Sequence, residues 1–119
     1  MTNLQDKKID NFNIFKKEDW SSAYQNVEKE LTKEPLKISK GKNIKNLNGT
    51  LLRNGPGRLE RGGQWVHHPF DGDGMITSIK FENGQPFFTN RFVKTKGYLE
   101  EEKIDKFIYR GVFLSLIHI

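Results

Sequence analysis

The sequence predicts an all-β unit that follows a polar arm, and three observations support this. Beyond Gly49 the chain is punctuated by glycine at short intervals, and each glycine cluster separates a run of apolar or β-branched residues. Met75, Thr77, Ile79 and Phe81 alternate with polar Ser78 and Lys80, the two-residue period of a half-buried strand. Asn83-Gly84 follows directly, the dipeptide favoured in a two-residue hairpin turn. Short strands joined by glycine turns suit a barrel, a sandwich or one propeller blade.

Residues 1–48 read as an arm. Its first 17 residues are polar and lysine-rich, with Phe12, Ile14 and Phe15 as anchoring side chains. Trp20, Ala23, Tyr24, Val27 and Leu31 then fall on one stripe of a 3.6-residue helix, and Pro35 sets a stop. This spacing predicts a short amphipathic helix with its aromatic stripe in the core. Thr50 to Arg53 reads as a strand, Asn54-Gly55-Pro56-Gly57 as a turn, and Gln64 to His68 as a second strand. The strand returning from Asn83-Gly84 runs from Gln85 to Val93, with Phe88 and Phe92 on one face and Phe87 on the other. Lys94 to Asp105 is charged, and Lys106 to Leu114 becomes apolar again.

Composition bounds the chemistry. The 119 residues suffice for one small domain, and 34% hydrophobic against 29% charged residues is polar for a self-contained core. The absence of cysteine excludes disulfides, thiolate zinc sites and cysteine nucleophiles. No apolar run is long enough to span a bilayer, and Met1 to Asp10 does not resemble a signal peptide, so a soluble cytoplasmic chain is expected. The net charge of +5 is diffuse, and only Lys37, Lys40, Lys42 and Lys45 form a basic stretch free of acids. A solvated connection accounts for that stretch better than a phosphate-binding arm.

The motifs with chemical potential are few. His67 and His68 are adjacent, so on a strand they point to opposite faces and cannot converge on one metal; the only other histidine is His118. Asp71-Gly72-Asp73-Gly74, with Glu82 at the twelfth position, resembles the start of a calcium loop. It fails at Met75 and Ile76, where a ligand and a glycine are needed. A tight turn whose carboxylates accept backbone N–H bonds accounts for it better. Arg53 to Gly63 is rich in glycine and arginine, but it has neither the spacing nor the lysine of a phosphate loop. Structural turns with arginine–carboxylate pairing are expected there. No residue stands out as catalytic, cofactor-binding or metal-ligating.

Longer strings say more. Leu47-Asn48-Gly49-Thr50-Leu51-Leu52-Arg53-Asn54-Gly55-Pro56-Gly57 resembles the opening signature of the carotenoid cleavage oxygenases, the retinal pigment epithelial membrane protein and apocarotenoid dioxygenase family. His68-Pro69-Phe70-Asp71-Gly72-Asp73-Gly74-Met75 is similar to the second hallmark of that family. Asn90 to Thr95 with Gly97-Tyr98-Leu99-Glu100-Glu101-Glu102 is similar to the third. Three strings in order are specific, and Arg58 to Gln64 looks most like bacterial members. One departure is Lys45 after Ile44, where the family commonly has proline.

The resemblance implies a seven-bladed β-propeller with an axial ferrous iron held by four histidines. Iron and dioxygen would cleave a double bond of a carotenoid or apocarotenoid into two carbonyl products, and the membrane would be approached peripherally. Residues 49–113 would be a partial propeller domain supplying first-blade strands. The family's iron ligands lie downstream of these motifs, so neither His67 nor His68 matches one. Phe70, Phe88 and Phe92 are the side chains that could approach a substrate tunnel, although core packing explains them as well.

Residues 114–119, Leu-Ser-Leu-Ile-His-Ile, do not resemble the family. They match the translation of CTGTCTCTTATACACATC, a transposon mosaic-end adapter used in sequencing libraries. Native sequence is therefore expected to stop near Phe113, and His118 to carry no biological meaning. One isolated blade leaves edges unpaired, so the chain alone is expected to be inactive, aggregation-prone and without stoichiometric iron. The rival expectation is a small β-domain that binds a protein partner or single-stranded nucleic acid, with the basic stretch and Phe87, Phe88 and Phe92 as a stacking platform.

Overall fold

The computed structural model describes residues 17–41, 44–109 and 111. A four-residue helix, α1 (Lys17–Trp20), runs into a 3-10 turn (Ser21–Ala23). Four antiparallel strands form the main sheet in the order β1 (Glu34–Pro35), β6 (Gln85–Phe92), β5 (Asp73–Glu82), β2 (Gly49–Arg58). A small separate hairpin joins β3 (Glu60–Arg61) to β4 (Gln64–Trp65), and α2 (Lys96–Ile104) follows the sheet. The expected all-β character holds, with one helix added that sequence patterning did not suggest.

The β5–β6 hairpin forms as its alternation requires. Asn83 and Gly84 take φ 51° and 80°, the left-handed pair that matches the twist of the flanking strands. The turn sets the register Glu82↔Gln85 through to Met75↔Phe92. Met75, Ile79, Phe88 and Phe92 therefore share one face, and Phe87 lies on the other. The core lies at the far end of this hairpin, where Met75, Phe92 and Tyr98 are buried together and Val27 packs against them. Leaving water stabilises each of these side chains by about 2 kcal/mol.

Four expectations need correction. The stripe from Trp20 to Leu31 is not an α-helix beyond Trp20, because after the 3-10 turn residues 24–32 leave helical structure and run beside the sheet. A short isolated helix is marginal, and sheet partners offer more. Val27 donates its N–H to the Gly57 carbonyl at 2.7 Å, and Leu31 exchanges bonds with Asn90. Asn54 to Gly57 is not a turn but part of β2, which continues to Arg58 through a bulge at Pro56 to Arg58. Gly57 fits there because it has no side chain, since a Cβ would sit 2.7 Å from Met75 Cβ and 2.8 Å from Phe92 Cε1. The strand expected over 64–68 stops at Trp65, and His68 instead caps a 3-10 turn (Pro69–Asp71). Asp73 and Gly74 belong to β5 rather than to a turn.

Residues 24–36 act as a strap on the β6 edge, secured mostly by side chains. Asn90 Nδ2 donates to the Lys29 carbonyl at 3.1 Å, and its Oδ1 accepts from Leu31 N–H. Arg91 Nη1 donates to the Leu31 carbonyl at 2.8 Å, and Thr89 Oγ1 accepts from Lys33 N–H at 2.9 Å. Further along, Asn26 Oδ1 accepts from both Leu59 and Glu60 N–H, at 2.8 and 3.1 Å, while its Nδ2 donates to the Glu60 carbonyl. This side chain does the work of a strand neighbour. Most of the polar, lysine-rich stretch with Phe12, Ile14 and Phe15, and residues 114–119, lie outside the described residues.

Candidate functional site

A cleft of about 350 Å³ opens between the β3–β4 hairpin, α2, residues 107–109 and Gly111, and Tyr98, Asp73 and Glu101 line it. Next to it lies Arg61, whose side chain is fully removed from solvent. Arg61 Nη2 donates to Asp73 Oδ2 at 2.8 Å, and Nη1 donates to Glu102 Oε2 at 2.6 Å. Its guanidinium also lies 5.3 Å from the Tyr98 ring and 5.5 Å from the Phe107 ring. Tyr98 stacks on Phe92 with centroids 5.4 Å apart, and the Arg58 guanidinium lies over the Phe92 ring at 5.5 Å. Arg58 and Arg61 thus flank the stacked pair Phe92 and Tyr98, with Phe107 beyond Arg61, a favourable arrangement for desolvated arginine.

The geometry around α2 explains why it forms. Thr95 caps its first turn by accepting from Tyr98 N–H at 3.1 Å, and Asp105 closes it in the left-handed conformation. Glu101 is buried, and its Oε1 accepts from the N–H groups of Ile108 and Tyr109 at 3.1 and 3.0 Å, which fixes the chain after the helix. The threonine cap was a readable signal in the charged 94–105 stretch. The inward turn of Glu101 was not, because a carboxylate there reads as solvated.

Electrostatics follow from burial. Burial pushes the Asp73 carboxyl above the usual carboxylate range, outweighing the pull of Arg61. For Arg61 burial works against the charge, yet the hydrogen bonds it donates to Glu102 and Asp73, with their negative charge, outweigh it and raise the guanidinium pKa. Burial also pushes the Tyr98 hydroxyl up, with the Glu102 charge adding to it. At the opposite margin the Phe92 N–H holds the Glu30 carboxyl below its usual range. The cluster fastens elements together. It presents neither a nucleophile paired with a base nor a converging ligand set.

The residues weighed from sequence are dispersed. His67 is exposed, and His68 Nδ1 accepts from Phe70 N–H at 3.0 Å, so the two serve different roles. His118 lies outside the described residues. Asp73 binds Arg61 rather than backbone N–H groups, which corrects the expected turn. Glu82, at the far end of β5, pairs with Lys80 at 3.0 Å and Lys33 at 3.6 Å. The arginine–carboxylate pairing expected within 53–63 is present at Arg61, and Arg58 lies 3.9 Å from Glu102. Phe70 is 80% exposed, Phe88 half-buried and Phe92 buried. Among the described residues no group of three or more His, Cys, Asp or Glu gathers to hold a metal. With three histidines in all, two of them adjacent, the chain does not fit a four-histidine iron site.

A glycine-punctuated antiparallel sheet, with a helix fastened by a buried arginine, defines part of a β protein. The chain belongs to the retinal pigment epithelial membrane protein family, whose model matches residues 24–116. It is 48% identical over 99 residues to apocarotenoid-15,15'-oxygenase of Synechocystis, covering 82% of this chain and 20% of that protein. It is 36% identical over 92 residues to carotenoid cleavage dioxygenase 8 of Arabidopsis thaliana, covering 76% and 15%. The fold matches cobalt-substituted apocarotenoid oxygenase of Synechocystis with a TM-score of 0.71 and 46% identity, over 82% of this chain and 20% of that one. The chain therefore spans about one fifth of the length of the Synechocystis protein it matches.

Proposed function

We propose that the chain is part of the scaffold of a non-haem iron dioxygenase that cleaves a double bond of a carotenoid or apocarotenoid to carbonyl products. The observation that carries this is the 48% identity over 99 residues to an apocarotenoid oxygenase. In this reading residues 49–113 contribute strands of the first of seven blades, and the iron ligands come from other parts of the protein. The cobalt-substituted relative supports a metal in the complete enzyme. This portion positions rather than reacts. Arg61, Asp73 and Glu102 lock α2 against the sheet, and the exposed Phe70 is left as an apolar surface for neighbouring structure.

Cytoplasmic residence with peripheral membrane contact goes with a polyene substrate that dissolves in lipid. Among the described residues no helix is long and apolar enough to cross a membrane. The nucleic-acid alternative loses one of its three stacking rings, because Phe92 is buried against Tyr98. The test is to express the full-length gene, measure its iron, and follow loss of polyene absorbance with an apocarotenal under air. One iron per chain and two carbonyl products are expected. An iron-free protein that binds oligonucleotides in a salt-dependent way and leaves every polyene intact would overturn the reading.

A further inference from the structure

Three asparagines precede glycine in this sequence, at 48, 54 and 83, and the fold places the three pairs in different surroundings. Asn54-Gly55 lies inside β2, opposite Ile76 and Met75, where both residues of the pair are held within the ladder. Asn83-Gly84 is the hairpin turn, and Gly84 is wedged against a neighbouring segment. A Cβ there would lie 2.7 Å from Lys45 Cα and 2.8 Å from the Ile44 carbonyl oxygen. Asn48-Gly49 sits where β2 begins. Asn48 is exposed and outside the strand, and a Cβ built on Gly49 meets nothing within 4 Å.

Asn48 has one further feature. Asn83 N–H donates to its side-chain Oδ1 at 3.1 Å. An N–H faces that atom, so it is the oxygen of the amide, and Nδ2 is the group left facing solvent. A donor on the carbonyl oxygen polarises Cγ and stabilises the negative charge that a nucleophile attacking Cγ would place on that oxygen. The nearest nucleophile is the main-chain nitrogen of Gly49, the first residue of β2, whose pairing opposite Phe81 ends the ladder and opens more readily than the interior pairing of Gly55 with Met75.

We propose that Asn48 is a site of spontaneous modification, in which its side-chain amide closes on Gly49 N to a cyclic imide that water opens to aspartate or isoaspartate. A bond forms between Gly49 N and Asn48 Cγ. The Gly49 amide proton goes to solvent, and Nδ2 leaves as ammonia after taking a proton. One water then adds across either imide C–N bond, giving the ordinary aspartyl peptide or its isomer with one extra methylene in the main chain. No oxidant, cofactor or enzyme is needed. The isomer shifts the start of β2 and loosens the tie between residue 48 and the hairpin turn.

Incubating the full chain at neutral pH, with and without urea, and mapping its peptides by mass spectrometry tests this. In urea the three pairs are expected to lose their amides at similar rates. In buffer Asn48 is expected to react about tenfold faster than Asn54 or Asn83, an exposed donor contributing less than the buried donors of enzymes. Isoaspartate should appear at position 48, and Asn48→Gln should remove most of the ammonia released by the folded chain. If Asn54 or Asn83 keeps pace with Asn48 in buffer, the proposal is overturned. The same holds if Asn48→Gln leaves ammonia release unchanged.

Discussion

The two ends of this molecule bury their strands by different means. Around Arg61 the sheet is closed by charged and aromatic groups with fixed partners, two carboxylates and two rings for one guanidinium. Along β2 the sheet stops, with no strand on its outer side among the described residues, and Leu51 and Leu52 are 52% and 65% exposed. The first region stores specificity, since each group there is costly to leave without its partner. The second stores apolar surface with nothing specified to cover it. A chain built this way should lose its fold through the first region and associate through the second.

Removing the guanidinium should have the largest effect. Arg61→Met leaves Asp73 buried without its cation and should cost about 3 kcal/mol in urea denaturation. That deficit should narrow on acidification. A carboxyl whose folded pKa lies above its unfolded one binds protons more tightly when folded, so it adds stability as pH falls through that window and loses it as pH rises. Asp73 is such a group, and without Arg61 its window widens upward. A deficit that grows toward acid would show that the burial of Asp73 has been misjudged.

Gly57→Ala comes next, because the new methyl meets Met75 and Phe92 at under 3 Å. Overpacking should cost about 2 kcal/mol and appear as lower thermal stability of the core. Asn26→Ala should cost about 1.5 kcal/mol, since Leu59 and Glu60 lose an acceptor and Leu59 is buried where water does not readily replace it. Leu52→Lys should change stability by no more than about 0.5 kcal/mol yet reduce self-association in sedimentation. If that last change unfolded the chain instead, the two regions would not be independent.

What could be read in the sequence was what depends on local pattern. The alternation from Met75 to Phe81 with Asn83-Gly84 specified a hairpin down to its register, because a two-residue turn allows one pairing. The stripe from Trp20 to Leu31 misled because the same side chains serve an extended strap. Trp20 still meets Tyr24 at 5.9 Å, but also Trp65, and Val27 reaches a core built from residues far along the chain. The Arg61 cluster was legible only as an expectation of arginine–carboxylate pairing. Its second partner, Glu102, stands 41 positions away in a segment that reads as solvated. The family resemblance, carried by strings rather than by periodicity, was legible throughout.

The strap over residues 24–36 has a consequence for the order of assembly. Its bonds to β6 join residues about 60 positions apart, such as Leu31 and Asn90, whereas the β5–β6 hairpin closes across two. Closing the longer loop costs more chain entropy, and its reward waits until Asn90 and Arg91 are already aligned on a formed strand. The hairpin should therefore fold first and the strap dock last, so truncating Asn90 would speed unfolding and leave the folding rate nearly untouched. The segment that begins this portion of the protein would then be the last of it to find its place.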